Sequence, residues 1–247
     1  MSFRNVARTL GLPVSDGDPV RDRPRRERRD PSGTAERPTS LVEMVGQDRA
    51  RTLLTVAVRG AAKRGVQPGH VLLYGPPGLG KTSLAELVAV QTGGRLIRSV
   101  GSQLNNTDVF RSTIEQLRWR DQDTKRPVID TLFIDELHAL PLKIAELFYM
   151  AMEDGRVEIR TGRGQTAVVH SVTLPPFVLV GATTLPGYLP QPLRDRFETK
   201  LSLEYYTDDE LTRIIVGAAE SKGAKLDPDS AVLLARRSRG TPRVALR

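Results

Sequence analysis

Residues 70–85 read HVLLYGPPGLGKTSLA, and the fold follows from this stretch. Val71–Tyr74 is a short apolar run closed by a Gly/Pro cluster, the pattern of a buried strand. From Lys81 to about Val90 apolar residues recur with helical periodicity. Between the two, Gly75-Pro-Pro-Gly78-Leu-Gly80-Lys81-Thr82 matches G-x-x-x-x-G-K-[ST] in the strand–turn–helix setting that gives this spacing its chemistry. The glycines let backbone N–H groups converge on phosphate oxygens, and the helix start adds positive potential. Lys81 is placed to reach the β- and γ-phosphates, and the Thr82 hydroxyl to ligate Mg²⁺. These residues predict a nucleoside triphosphate site.

Outward from the turn, strands alternate with helices. Arg95–Val100, Val128–Ile134, Phe177–Val180 and Leu201–Tyr205 read as further strands, with helical segments at Asp108–Leu117 and Ile144–Met152. Strands joined through helices require parallel crossovers, so the expected fold is α/β, a doubly wound five-stranded parallel sheet. Beyond Tyr206 the pattern is helical only: Thr207-Asp-Asp-Glu210 is a capping box, and Asp227–Arg237 forms a helix stopped at Gly240. The expected division is a tail at 1–36, an α/β domain at 37–203 and an incomplete helical lid at 204–247.

The third strand delivers Asp135 and Glu136 at its carboxyl end, beside the phosphate turn. There Asp135 holds the metal shell and Glu136 polarises an attacking water, unless the pair is an ordinary helix-capping turn. Gly181-Ala-Thr183-Thr184 puts hydroxyls after the fourth strand, as a γ-phosphate contact or a Thr-rich strand end. Leu193-Arg194-Asp195-Arg196-Phe197 sets two arginines on a loop before the fifth strand, for phosphoryl charge or as a surface ion-pair network.

Composition narrows the class. The 247 residues include no cysteine and three histidines, which excludes disulfides, thiolate metal sites and cysteine nucleophiles. No apolar run is long enough for a membrane span. The net charge of +8 suits a polyanionic partner, or a chain simply rich in arginine. Much of the charge sits in RDRPRRERRD (21–30), within a Pro/Gly/Ser/Asp-rich stretch that predicts a disordered tail, either a solvated linker or a loose nucleic-acid-binding arm.

Taken together, RPTSLVEMVGQ (37–47), the phosphate turn, LFIDELHAL (132–140), AMEDGRVEI (151–159), LPPFVLVGATT (174–184), PLRDRF (192–197), LEYY (203–206) and ARRSRGTPR (235–243) resemble the AAA+ ATPases, and within them the RuvB family of Holliday-junction branch-migration motors. The resemblance runs from Arg37 to the end. It implies that Arg37 and Pro38 flank adenine with Tyr206 opposite, and that Gly75, Gly78, Gly80, Lys81, Thr82 and Ser83 hold the phosphates, with Thr82 and Asp135 on Mg²⁺. It makes Asp135 and Glu136 the Walker B pair, Thr184 the first sensor, Arg196 the finger for a neighbour's ATP and Arg243 the second sensor. Glu153, Asp154 and Gly155 match a segment that borders nucleotide. The implied assembly is a cytoplasmic, ATP-driven hexameric ring on duplex and four-way junction DNA with a RuvA-like partner. The runner-up readings are an AAA+ switch of the helicase or clamp-loader type, and a shortened nucleotide-binding module without motor activity.

Three stretches depart from the family. Its pattern continues past the lid into a DNA-binding winged helix, whereas this sequence stops at Arg247, as a fragment or a shortened relative would. The connection Trp119–Pro127 is longer and more charged, and reads as a solvent loop. Residues 157–174 form a hairpin turning at Gly162-Arg163-Gly164, with His170 and Ser171 where the family docks its partner through apolar residues. His138 and His170 are expected to be structural.

Overall fold

The structure is a computed structural model and describes residues 41, 43–125, 127–161 and 168–247. The tail, Arg37, Pro38 and the Gly162–Gly164 turn lie outside the described residues. Five parallel strands form the central sheet: β1 (Val71–Tyr74), β2 (Leu96–Val100), β3 (Asp130–Asp135), β6 (Phe177–Thr183) and β7 (Thr199–Ser202), in the order β2-β3-β6-β1-β7. The inserted β4 (Arg156–Thr161) and β5 (Val168–Thr173) pair antiparallel as a separate hairpin. The helices are α1 (Asp48–Arg64), α2 (Lys81–Thr92), α3 (Thr107–Ile114), α4 (Leu142–Glu153) and the short α5 (Gln191–Asp195). The lid follows with α6 (Asp208–Ser221), α7 (Pro228–Arg237) and α8 (Pro242–Ala245).

Burial explains the unbroken apolar text of the inner strands. Every residue of β6 is buried, as is β3 up to Ile134, because helices cover both faces of a parallel sheet. Val71 pairs with Val180 and Thr199, and Tyr74 with Thr183 and Ser202. All carboxyl ends therefore emerge at one edge and all amino ends at the other.

Several sequence expectations need correction. The fourth strand runs Phe177–Thr183 rather than stopping at Val180, so Gly181, Ala182 and Thr183 belong to it and only Thr184 follows it. The fifth strand is Thr199–Ser202, not Leu201–Tyr205. Its last sheet contact is the Leu203 N–H to Tyr74 O bond of 2.8 Å, after which the chain turns into the lid. The third strand starts at Asp130 rather than Val128, and α3 ends at Ile114 rather than Leu117. Arg194 lies in α5 and Arg196 caps it, where a loop was expected. Helix α1 was not anticipated at all. Its stripe of Ala50, Leu54, Val58 and Ala61, closed by Gly65 in the left-handed region, was legible at helical spacing.

Two buried polar groups anchor the amino edge. Asp130 has no exposed surface; its carboxylate accepts from the Arg95 N–H at 2.7 Å and from Arg118 Nη2 and Nε at 2.8 and 3.1 Å. Burial alone would push this carboxyl up, but Arg118 and the Arg95 amide more than offset it and its pKa is lowered. His70 is also buried. Its Nδ1 accepts from the Leu179 N–H at 2.9 Å, so the proton sits on Nε2, which donates to Met152 O at 3.3 Å. One neutral ring thus joins β1, β6 and the end of α4, and desolvation lowers its pKa from 6.5 to about 4.

Replacing Asp130 with Asn leaves Arg118 facing a neutral amide and should cost about 3 kcal/mol of stability, read from the urea midpoint. The folded pKa of His70 lies below its unfolded value. Only the unfolded chain binds the proton as pH falls from 6.5 to about 4, and stability should drop across that window by about 3 kcal/mol. His70→Gln should flatten this part of the pH profile; an unchanged slope would remove His70 as its source.

Candidate nucleotide site

The turn after β1 is a cradle because its glycines allow backbone shapes that side chains resist. Gly75, Gly78 and Gly80 have φ of 139°, 81° and 92°. At Gly75 a Cβ would also meet Leu203 O at 2.7 Å. Gly80 precedes α2 without any side-chain cap, so the N–H groups of the first turn, including those of Thr82 and Ser83, are left for an anion. Leu84, Ala85, Leu87 and Val88 bury the helix against the sheet and fix the direction of that turn.

Lys81 folds back over the cradle, and its Nζ donates to Gly75 O and Pro76 O at 2.8 Å each. Burial lowers its pKa; Asp135 opposes that effect and Arg243 adds to it. A partly desolvated ammonium whose hydrogen bonds among the described residues go to carbonyls suits an incoming phosphate, which supplies negative charge. The same interactions show that Asp135 and Arg243 stand close enough to Lys81 for their charges to be felt.

Asp135 ends β3, and its Oδ1 accepts the Glu136 N–H at 2.9 Å. Glu136 is exposed and occupies the left-handed region at φ 48°, which turns the backbone out of the line of the strand. One strand over, Thr183 ends β6 buried while Thr184 is exposed just beyond it. Lys81, Asp135, Glu136 and Thr184 therefore share the carboxyl edge. Thr82 and Asp135 offer the hydroxyl and carboxylate oxygens that Mg²⁺ prefers, so the donor set fits that ion.

The lid closes on the cradle from above. Tyr206 is buried, its hydroxyl donates to Leu79 O at 3.4 Å, and burial pushes its pKa up to about 12. Gly46 leaves room for its ring, since a Cβ there would come within 2.5 Å of it. The Gln47 side-chain amide pairs with the backbone of Glu204, donating to its O at 2.7 Å and accepting its N–H at 3.3 Å. Farther on, the Arg243 N–H donates to Gly78 O at 3.4 Å, and a Cβ on Gly78 would meet Thr241 at 2.7 Å and Arg243 at 2.9 Å. Neither Gln47 nor these backbone contacts was anticipated from sequence, because each depends on chain segments distant in sequence.

Arg196 and Glu153 are elsewhere. Glu153 is the last residue of α4, about 18 Å of helix from the end that follows the Asp135 turn. Its neighbour Met152 bonds His70 at the start of β1. Arg196 Nη2 donates to Glu153 Oε2 at 2.6 Å, Nη1 donates to Pro192 O at 2.8 Å, and the guanidinium lies 4.9 Å from the Tyr149 ring centre. Asp154 pairs with Arg156 at 3.5 Å, and Gly155, at φ 62°, turns the chain into the hairpin. The candidate finger and Glu153–Gly155 thus form one cluster towards the amino edge, apart from the cradle of the same chain.

Because Gly78 touches both cradle and lid, Gly78→Ala should weaken binding of a fluorescent ATP analogue at least about tenfold, or about 1.4 kcal/mol. Unchanged affinity would show that the lid contact does not shape the site.

Comparison with known proteins agrees with this geometry. The family model for the Holliday junction DNA helicase RuvB P-loop domain matches residues 36–203, and that for the RuvB AAA lid domain matches residues 206–247. The Holliday junction branch migration complex subunit RuvB of Corynebacterium aurimucosum is 43% identical over 211 residues, covering 85% of this chain and 56% of that protein. Its counterpart from Fusobacterium nucleatum is 40% identical, covering 85% of this chain and 61% of the relative. The chain therefore spans little more than half the length of such relatives. Among solved structures, the Thermotoga maritima RuvB Holliday junction branch migration motor superposes with a TM-score of 0.73 at 38% identity, covering 86% of this chain and 63% of that one. The phosphate cradle, the acidic strand end and the lid are those of a P-loop AAA+ protein, and the chain belongs to the RuvB family.

Proposed function

We propose that the chain binds ATP with Mg²⁺ in the Gly75–Thr82 cradle and hydrolyses it in a homo-oligomeric, hexameric ring. In that ring, hydrolysis drives the movement of duplex DNA at four-way junctions during recombination and repair in the cytoplasm. The observation that carries this reading is the separation of Arg196 from the cradle. Lys81, Asp135, Glu136 and Thr184 share the carboxyl edge, whereas Arg196 is bonded to Glu153 towards the other, which supports its acting on a neighbour's phosphates.

In this reading Arg37, Pro38 and Tyr206 enclose adenine, and Gly75, Gly78, Gly80, Lys81, Thr82 and Ser83 hold the phosphates. Thr82 and Asp135 hold Mg²⁺, which neutralises charge on the phosphates. Glu136 orients the attacking water, Thr184 and Arg243 contact the γ-phosphate, and Arg196 stabilises charge on the neighbour's transferring group with Glu153–Gly155 beside it. The hairpin of β4 and β5 docks a RuvA-like junction-binding protein. No helix among the described residues is long and apolar enough to cross a membrane.

The direct test is steady-state ATP turnover with four-way junction DNA, with a single-stranded control and at two salt concentrations, since phosphate contacts make such binding salt-sensitive. Junction-stimulated turnover supports the motor, whereas nucleotide binding without turnover assigns the chain to the non-motor reading. Within an active ring, Glu136→Gln should keep ATP bound but stall cleavage. Arg196→Ala should lose about a thousandfold in kcat and recover part of it when mixed with Glu136→Gln subunits. Failure to recover would argue against a finger acting between subunits.

A further inference from the structure

We infer that His138 is a positioning residue that locks the Glu136 turn to the Thr184 turn through the buried hydroxyl of Thr183. This rests on the hydrolytic reading above and deepens it. His138 Nδ1 lies 3.0 Å from Thr183 Oγ1, and the same oxygen accepts the Leu185 N–H at 3.0 Å. Thr183 is 1% exposed, so its hydroxyl proton has to find an acceptor within the protein. Among the described residues His138 Nδ1 is the one available. The arrangement that satisfies every group has the Thr183 O–H donating to Nδ1 while its oxygen takes the Leu185 N–H.

The placement gives this link a consequence. The last ladder pair between β3 and β6 is Ile134 with Gly181. Beyond it Asp135 and Thr183 still pair outward, with Val100 and Tyr74, but not with each other, and each leads into its own turn at Glu136 or Thr184. The His138–Thr183 bond joins those turns past the end of the ladder. Glu136 needs such support, because a non-glycine residue at φ 48° persists only when its surroundings hold it there. Its carbonyl accepts the Ala139 N–H at 2.8 Å, and the Gly101 backbone sits against it so closely that a Cβ would come within 2.4 Å. His138 fixes the remaining side of the turn. Without it, Glu136 and Thr184 lose their common register, while Thr183 keeps its backbone bond to the cradle, its carbonyl accepting the Gly75 N–H at 3.2 Å.

The test combines kinetics with exchange. His138→Ala and Thr183→Val should each lower kcat about ten- to a hundredfold, with KM and analogue affinity changed less than about twofold. The double variant should be no worse than the poorer single, and Thr183→Ser, which keeps the hydroxyl, should retain turnover. Independent additive losses, or a rise in KM without a fall in kcat, would overturn the inference. Amide hydrogen exchange reads the link without activity: either substitution should speed exchange at both 136–140 and 183–186. Faster exchange confined to the substituted turn would refute the coupling. If the unsubstituted chain shows no turnover, the hydrolytic reading fails and the exchange result alone decides whether the lock exists.

Discussion

A parallel sheet has a direction, and the rest of this molecule follows from it. Because β1, β3 and β6 run the same way, the segments that follow them (the cradle, the Asp135–Glu136 turn and the Thr183–Thr184 turn) must emerge side by side at the carboxyl edge. Helices then carry the chain back to the other edge before the next strand begins. Arg196 sits on one of those return paths, three residues before β7 starts at Thr199. The strand direction that gathers the nucleotide groups also keeps the arginine from them within one chain. On the proposed reading, a ring is a geometric requirement of the chemistry.

The lid adds a second constraint, made by the absence of side chains. Gly78 and Gly46 sit where any Cβ would strike the side chains of Thr241 and Arg243 or of Tyr206, so lid side chains lie directly on the backbone of both glycines. That closeness places Arg243 where its charge acts on Lys81 and buries Tyr206 beside Leu79. On the proposed reading, a phosphate between Lys81 and Arg243 changes the balance of charge on both sides of the contact, so occupancy of the cradle is linked to the position of the lid. At the amino edge, Asp130 with Arg118 and the neutral ring of His70 secure the strand starts.

Local physics was legible in the sequence where it was decisive. The phosphate turn needs glycines at fixed offsets, and β3 and β6 must be apolar throughout because both faces are covered. The capping box at Thr207 and Glu210 is present with both of its bonds, and the hairpin strands pair from Arg156 with Thr173 to Thr161 with Val168. Element ends were less legible because tertiary contacts set them. The Leu203 bond to Tyr74 and the turn towards Gly240 end β7 early, despite apolar text that continues to Tyr205. Helix α1 starts after Gln47 without a side-chain cap, so its beginning carries no local signal even though its buried stripe repeats at helical spacing. The Gln47 pairing with Glu204, the Arg118 grip on Asp130 and the His138 bond to Thr183 span 12 to 157 residues of sequence, and no local pattern announces them.

On the proposed reading one chain does not hold a complete catalytic site, and ATP turnover per chain as a function of chain concentration, with oligomeric state followed in parallel by sedimentation, decides this. Turnover should be negligible where the chain is monomeric, rise more steeply than linearly as subunits associate, and level off once rings are complete. Constant turnover per chain down to concentrations at which only monomer sediments would contradict it, because Arg196, held on Glu153, would then be dispensable or would act on its own chain's nucleotide.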